Sequence, residues 1–218
     1  MKRNFLIIAT ALFLFSCNNG KSVEKDSPKE TELHIETENF YSFVYFFNPI
    51  HFPMEINDNI LWKSTLVVMK GLPKIDTSFV NLFMNYEYET KDTATFHELI
   101  TFYEVGKFEI DTTIIGLIYL KSFNSTFIEG GKKDIYKLAM FDKEGNLISQ
   151  KDIAGFITDY SKNDDRSFWN TCKIDKNFRI QLRIEEHLAD YNLDTLYVIS
   201  KTIENYCITK EGIITKQE

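Results

Sequence analysis

The chain has 218 residues, 15% of them aromatic, with four prolines, nine glycines and a formal net charge of −7. The aromatic content excludes a disordered chain, and so few glycines and prolines exclude low complexity. An acidic balance without a basic patch excludes nucleic acid and anionic lipid as partners, because phosphate binding rests on clustered Lys and Arg. At the N-terminus, Lys2 and Arg3 precede an apolar run from Phe5 to Phe15. About eleven residues is the length of a secretory h-region. It falls short of the roughly 20 apolar residues that a spanning helix needs.

Leu14-Phe15-Ser16-Cys17 follows that run and resembles a bacterial lipobox. The resemblance implies that residues 1–16 are a lipoprotein signal peptide, cut before Cys17, and that the Cys17 thiol carries a diacylglycerol. Acyl chains contribute about 0.8 kcal/mol per buried methylene, so two or three chains hold a domain on a membrane durably. Asn18 stands where an enterobacterial inner-membrane retention signal has Asp. The expected location is therefore the cell envelope, at the outer membrane, in either leaflet. Residues 17–38 are polar and charged after the cysteine and read as a flexible tether. Residues 39–218 are enough for one globular domain with one core.

Within that domain, residues 39–52 are the most aromatic stretch. Tyr41, Phe43, Tyr45 and Phe47 alternate with Phe40, Val44 and Phe46, which predicts a strand apolar on both faces and buried between layers. The same rings, Phe40 to Phe52, read functionally as a platform for a sugar. Residues 60–70 fit a strand or a short helix. Asp76 or Thr77 is a plausible N-cap for a helix near 77–86, whose Phe79, Val80, Phe83 and Met84 recur at helical spacing.

From His97 onward Thr, Ile and aromatic residues favour strands. HELITFYEV, KFEI and IIGLIYLKSF follow one another, with a turn around Asp111. Three charged turns, in FDKEGNLI, KIDKNFRI and ITKEGIIT, each join two apolar runs and predict hairpins. Phe178, Ile180, Leu182 and Ile184 alternate with Arg179, Gln181, Arg183 and Glu185, which predicts a half-buried strand with one wet face. The fold class is mainly β: a single antiparallel meander or sandwich-like domain with one short helix near 77–86. The alternative is α+β, with a second helix at 60–70.

FYEVGKF, IIGLIYL, IYKLAMFDKEGNLISQKDIAGF and ITKEGIITK together resemble uncharacterised β-rich lipoproteins of Bacteroidota. The resemblance covers roughly residues 95–215. It implies an envelope location and a β-rich domain, and it carries no activity.

No catalytic, metal or cofactor motif is complete. His97-Glu98 opens like a zinc-protease helix, but Thr101 stands where the second His belongs. Gly130-Gly131-Lys132-Lys133 lacks both the upstream Gly and the Ser or Thr of a phosphate loop. Asp159, Asp164 and Asp165 do not have calcium-loop spacing. Cys172 and Cys207 lie in predicted strands. They either form a disulfide, closing a loop of about 35 residues worth about 3–4 kcal/mol, or pack as free thiols. Thr93, Thr112 and Thr195 each follow Asp and fit a short O-glycosylation sequon, which is also ordinary turn chemistry. Trp62 and Trp169 are candidate ligand-stacking rings.

Three functional classes follow. The first is a non-catalytic envelope lipoprotein acting by structure or interaction, with a membrane, an envelope protein or a glycan as partner. The second is a glycan- or peptide-binding module, which predicts exposed aromatic rings on a concave face. The third is a hydrolase without a recognisable motif, which predicts a His–carboxylate pair within hydrogen-bond reach in a pocket.

Overall fold

The computed structural model describes residues 39–57, 71–84, 100–123, 133–159, 166–190 and 195–218. Residues 39–45 form helix α1, and Thr77–Phe83 forms helix α2. The strands are β1 (Met54–Ile56), β2 (Ile100–Ile110), β3 (Ile114–Phe123), β4 (Lys133–Asp142), β5 (Leu147–Asp159), β6 (Arg166–Ile174), β7 (Arg179–Asp190), β8 (Thr195–Ile208) and β9 (Ile214–Gln217). They make one open antiparallel sheet in which β2 to β9 lie in chain order, and β1 pairs with β6. The fold is mainly β, a meander, as the sequence predicts.

The turns explain the meander. At the β4–β5 turn Gly145 has φ 90° and Asp142 accepts hydrogen bonds from Asn146 through its carboxylate. At the β8–β9 turn Gly212 has φ 80°. Asp175 Oδ1 caps the β6–β7 turn by accepting from the backbone N–H groups of Asn177 and Arg179. All three predicted hairpins are present.

The sheet coils on itself. β5 pairs with β6 only from Gly155 onward, while the far end of β6 pairs with β1. Gly155 marks the bend: a Cβ there would meet the Asp134 carbonyl oxygen at 2.5 Å. Coiling brings the β8–β9 turn over β5, where Ser149 Oγ donates to the Gly212 carbonyl at 2.6 Å. The inner core forms between the two halves. It contains Phe108, Ile118, Leu120, Leu138, Met140 and Ile153 from one half and Ile174, Ile180, Leu182 and Ile208 from the other.

The opposite face of β2–β4 is covered by the helices. Phe102, Ile115, Leu117, Tyr119, Ala139 and Phe141 pack there against Phe40, Phe43, Val44, Phe47, Val80, Phe83 and Met84. β3 is thus buried on both faces, from Ile114 to Leu120. Asp76 is the N-cap of α2, accepting from the Ser78 backbone N–H at 2.8 Å, as predicted. The helix ends at Phe83, short of residue 86.

The strand expected over 39–52 is corrected. Residues 39–45 are helical, and the buried set is Phe40, Phe43, Val44 and Phe47. That spacing of three, one and three is the period of a helix. Tyr41, Tyr45 and Phe46 point outward and are 48%, 80% and 56% exposed. Lys107 Nζ donates to the Val44 carbonyl at 2.9 Å, satisfying one of the acceptors that a helix C-terminus leaves open. The chain beyond α1 then guards the first edge of the sheet. Ile50 N–H donates to the Lys107 carbonyl and Ile75 N–H to the Phe102 carbonyl, so short segments cap β2 on either side of its bulge at Val105.

Candidate binding face

β7 sets the geometry. Ile180 and Leu182 turn inward to the core, so Arg179, Gln181, Arg183, Glu185 and His187 share the outer face. The register carries that face across four strands. Lys173 stands opposite Gln181, Gln181 opposite Asn205, and Asn205 opposite Gln217. Glu55 on β1 extends the row beyond Lys173. At about 4.8 Å between strands, the four residues from Lys173 to Gln217 span about 14 Å. All four side chains are exposed. They line a groove of about 390 Å³ together with Asp175 and Arg179.

A second cluster lies farther along the same face. Trp169, opposite Glu185, meets the Phe156 ring edge-on at 5.1 Å and the His187 ring at 5.1 Å. Glu185 is only 8% exposed. Its Oε1 accepts from Arg183 Nε at 2.9 Å and its Oε2 from Arg183 Nη2 at 2.9 Å. Lys201 Nζ approaches at 3.3 Å. The Arg183 hydrogen bonds, reinforced by Lys201, hold this carboxyl below the ordinary glutamate value of 4.5 despite its burial.

The lowered value has a sign. Ionised Glu185 stabilises the fold above pH 4.5, and that contribution is lost as pH falls through the folded-state value. Urea midpoints measured across the acid range are expected to fall for the wild type as pH drops below the ordinary glutamate value of 4.5. Glu185→Gln is expected to be less stable at neutral pH and flatter in acid. Parallel curves would mean that the pair contributes nothing.

His187 Nε2 lies 3.6 Å from Glu185 Oε2, and neither His187 Nε2 nor the buried Ser167 Oγ beside it has a hydrogen-bond partner among the described residues. Ser167 and His187 are cross-strand neighbours without a bond between them. Both Glu185 oxygens are engaged by Arg183, and the groove lies elsewhere on the face. Such a carboxylate orients cations and has no proton to donate near neutral pH.

Past the groove, β8 continues from Thr195 to Glu204 without β9, exposing Tyr197, Val198, Ile199 and Ile203. A register shift opposite Glu186 and His187, together with Lys201, interrupts that edge. Bulges and lysines are the usual devices that stop an open strand from pairing.

Cys172 and Cys207 are free, which corrects the disulfide alternative. β7 separates them: Cys172 stands opposite Leu182 and Cys207 opposite Arg179, on different faces. Burial raises the Cys172 thiol to about 12, the state of a packed and unreactive thiol. Thr112 is exposed in the β2–β3 turn, and Thr195 begins β8. Trp169 belongs to the outer face but is partly buried, whereas the exposed rings among the described residues are Tyr41, Tyr45 and Phe46 at α1 and Phe168 and Tyr197 on β6 and β8. Cys17, Trp62, Thr93 and residues 60–70 lie outside the described residues. Among the described residues no group of His, Cys, Asp and Glu is placed to hold a metal, and no helix is long and apolar enough to cross a membrane. Compared with family models, with curated proteins and with solved structures, the chain matches none of them.

Proposed function

We propose that this is a non-catalytic lipoprotein of the cell envelope, exported by residues 1–16 and held at the outer membrane by lipid on Cys17. It acts by binding at the outer face of β6–β9. The observation that carries the reading is the exposed polar row Lys173–Gln181–Asn205–Gln217 over its groove. A face left uncovered while the other side of the sheet is packed with apolar residues is a face for something polar. The ionised, cation-bound state of Glu185 supports a binding role over proton transfer.

The test is fractionation and protease shaving of intact cells, comparing wild type with Cys17→Ala. The wild type is expected in the membrane fraction and the variant in the soluble fraction. Digestion of the wild type on intact cells assigns the face to the exterior, and protection assigns it to the periplasm. If the variant fractionates like the wild type, the lipid-anchor reading is wrong.

A further inference from the structure

We infer that α1 is the side on which the domain rests against the lipid bilayer that holds its anchor, with Tyr41, Tyr45 and Phe46 seated among neutral headgroups. This rests on the reading of Cys17 as the lipidated residue and adds which side of the domain meets the membrane. The composition comes first. Charged residues make up 26% of the chain. Residues 39–50, which hold α1, and residues 77–84, which hold α2, contain none. A helix with one face on a core normally carries charge on the other. Here the outward side of both helices is aromatic, aliphatic or neutral polar.

The outward apolar side chains are continuous. Tyr41 and Tyr45 are four residues apart on α1 and share one side of it. The Tyr45 ring lies 6.2 Å from Phe46, and Phe46 lies 6.3 Å from Phe79 on α2. Leu82, 58% exposed, follows Phe79 by three residues on the same side of α2. Exposed apolar groups gathered in this way mark an interaction surface. Charges stand only at its border. Exposed Lys143 and Glu144 lie in the β4–β5 turn, which meets α1 at Phe40, and Asp76 caps α2.

Two features select a bilayer as the occupant. Residues 18–38 join Cys17 to Asn39, the first residue of α1. A connection of that length spans about 70 Å at most. It holds the patch beside the membrane at a local concentration on the order of millimolar, so a contact too weak to form between separate molecules is occupied. The second feature is the side-chain chemistry. Tyrosine joins an apolar ring to a polar tip, the combination enriched where a membrane meets water. The lack of Lys and Arg on the patch suits neutral lipid and not anionic lipid. The helices cover β2–β4 on the side away from the inner core. This orientation therefore turns the outer face of β6–β9 away from the membrane.

The test uses the lipidated full chain, purified in detergent and reconstituted into phosphatidylcholine vesicles. A fluorophore is attached at Tyr45→Cys or, as the control on the opposite side of the domain, at Gln181→Cys. Cys207→Ser is present in both, and the buried Cys172 thiol does not compete for label. Lipids with a nitroxide near the top of the acyl chain are expected to quench the label at 45 at least about threefold more than the label at 181. Salt should leave that difference unchanged, because no ion pair supports it. Phe46→Asp is expected to remove most of it, since a carboxylate resists entry into the interface. Positions 45, 46 and 181 are exposed, and circular-dichroism melts confirm that each variant is folded. Equal quenching at 45 and 181 on a chain retained by the vesicles, or a difference that survives Phe46→Asp, overturns the inference and leaves the anchor intact. A chain that the vesicles do not retain carries no lipid, and the anchor and the inference fall together. Shielding of the label at 45 from iodide without vesicles, rising with protein concentration, assigns the patch to a second copy of the chain and also overturns the inference.

Discussion

Phe43→Ala is expected to lower the unfolding free energy by about 3–5 kcal/mol, the range for removing a buried aromatic ring. Phe43 is 1% exposed. Its ring stacks on Phe83 at 5.4 Å and meets Phe47 edge-on at 5.2 Å, so it joins α1 to α2 over β2–β4. The cavity would be lined by aromatic groups already packed against one another, and these have little room to collapse. In a domain of this size each kcal/mol moves the melting temperature by about 2–4 °C, so a drop on the order of 10 °C is expected. Tyr45→Ala is the control. That ring is 80% exposed, and its loss should change stability by less than about 0.5 kcal/mol. The pair also separates two conformations, because residues 43 and 45 share a face only in a strand. Equal costs in urea unfolding would return this segment to the strand that its alternation suggests.

Gly116→Ala is the second large effect, about 1–3 kcal/mol and toward the upper end. Gly116 lies opposite Phe108 across β2 and β3. A Cβ at Gly116 would fall well within 3.0 Å of the Phe108 ring. That ring cannot step aside cheaply. Phe178 stacks on it at 5.7 Å and Phe52 meets it edge-on at 5.0 Å. The three rings join the two halves of the coiled sheet, so displacing one strains the inner core on both sides. The remedy is specific. Phe108→Leu alone is expected to be destabilising, yet in the Gly116→Ala background it should recover part of the loss. A double-mutant cycle with a coupling of about 0.5–3 kcal/mol would show this. Simple additivity would mean that the ring and the glycine do not meet in solution.

Local chemistry explains which parts of this fold were legible in the sequence. The three hairpins were, because Gly145, Gly212 and Asp175 are turn residues with a mechanism. The wet face of β7 was, because Ile180 and Leu182 alternate cleanly with Arg179, Gln181 and Arg183. Residues 39–47 were not. Nearly every position there is aromatic, so periods of 2 and 3.6 both find apolar residues, and only burial selects Phe40, Phe43, Val44 and Phe47. The converse case is β3, whose continuous apolar run is the strand buried on both faces.

The groove was illegible for a different reason. Lys173, Gln181, Asn205 and Gln217 are each unremarkable polar residues on separate strands. The turns set the register of β6 with β7 and of β8 with β9. The register of β7 with β8 follows from no turn signal in the sequence, and without it the row does not exist. The cysteines were ambiguous on the same ground, since only the intervening β7 shows that they cannot meet.

The order of the sheet bears on how the chain reaches this structure. From β2 to β9 each strand pairs with its neighbour in sequence. Each closure spans a short loop, which keeps its entropic cost low. The strands can zip in the order in which they emerge from a ribosome or a translocation pore, each laid on the edge left by the one before. The elements made first are the exceptions. β1 has its partner in β6, and α1 needs the finished surface of β2–β4. The N-terminal end of the domain is thus the first to be synthesised, yet α1 has its surface only after β4 and β1 its partner only after β6.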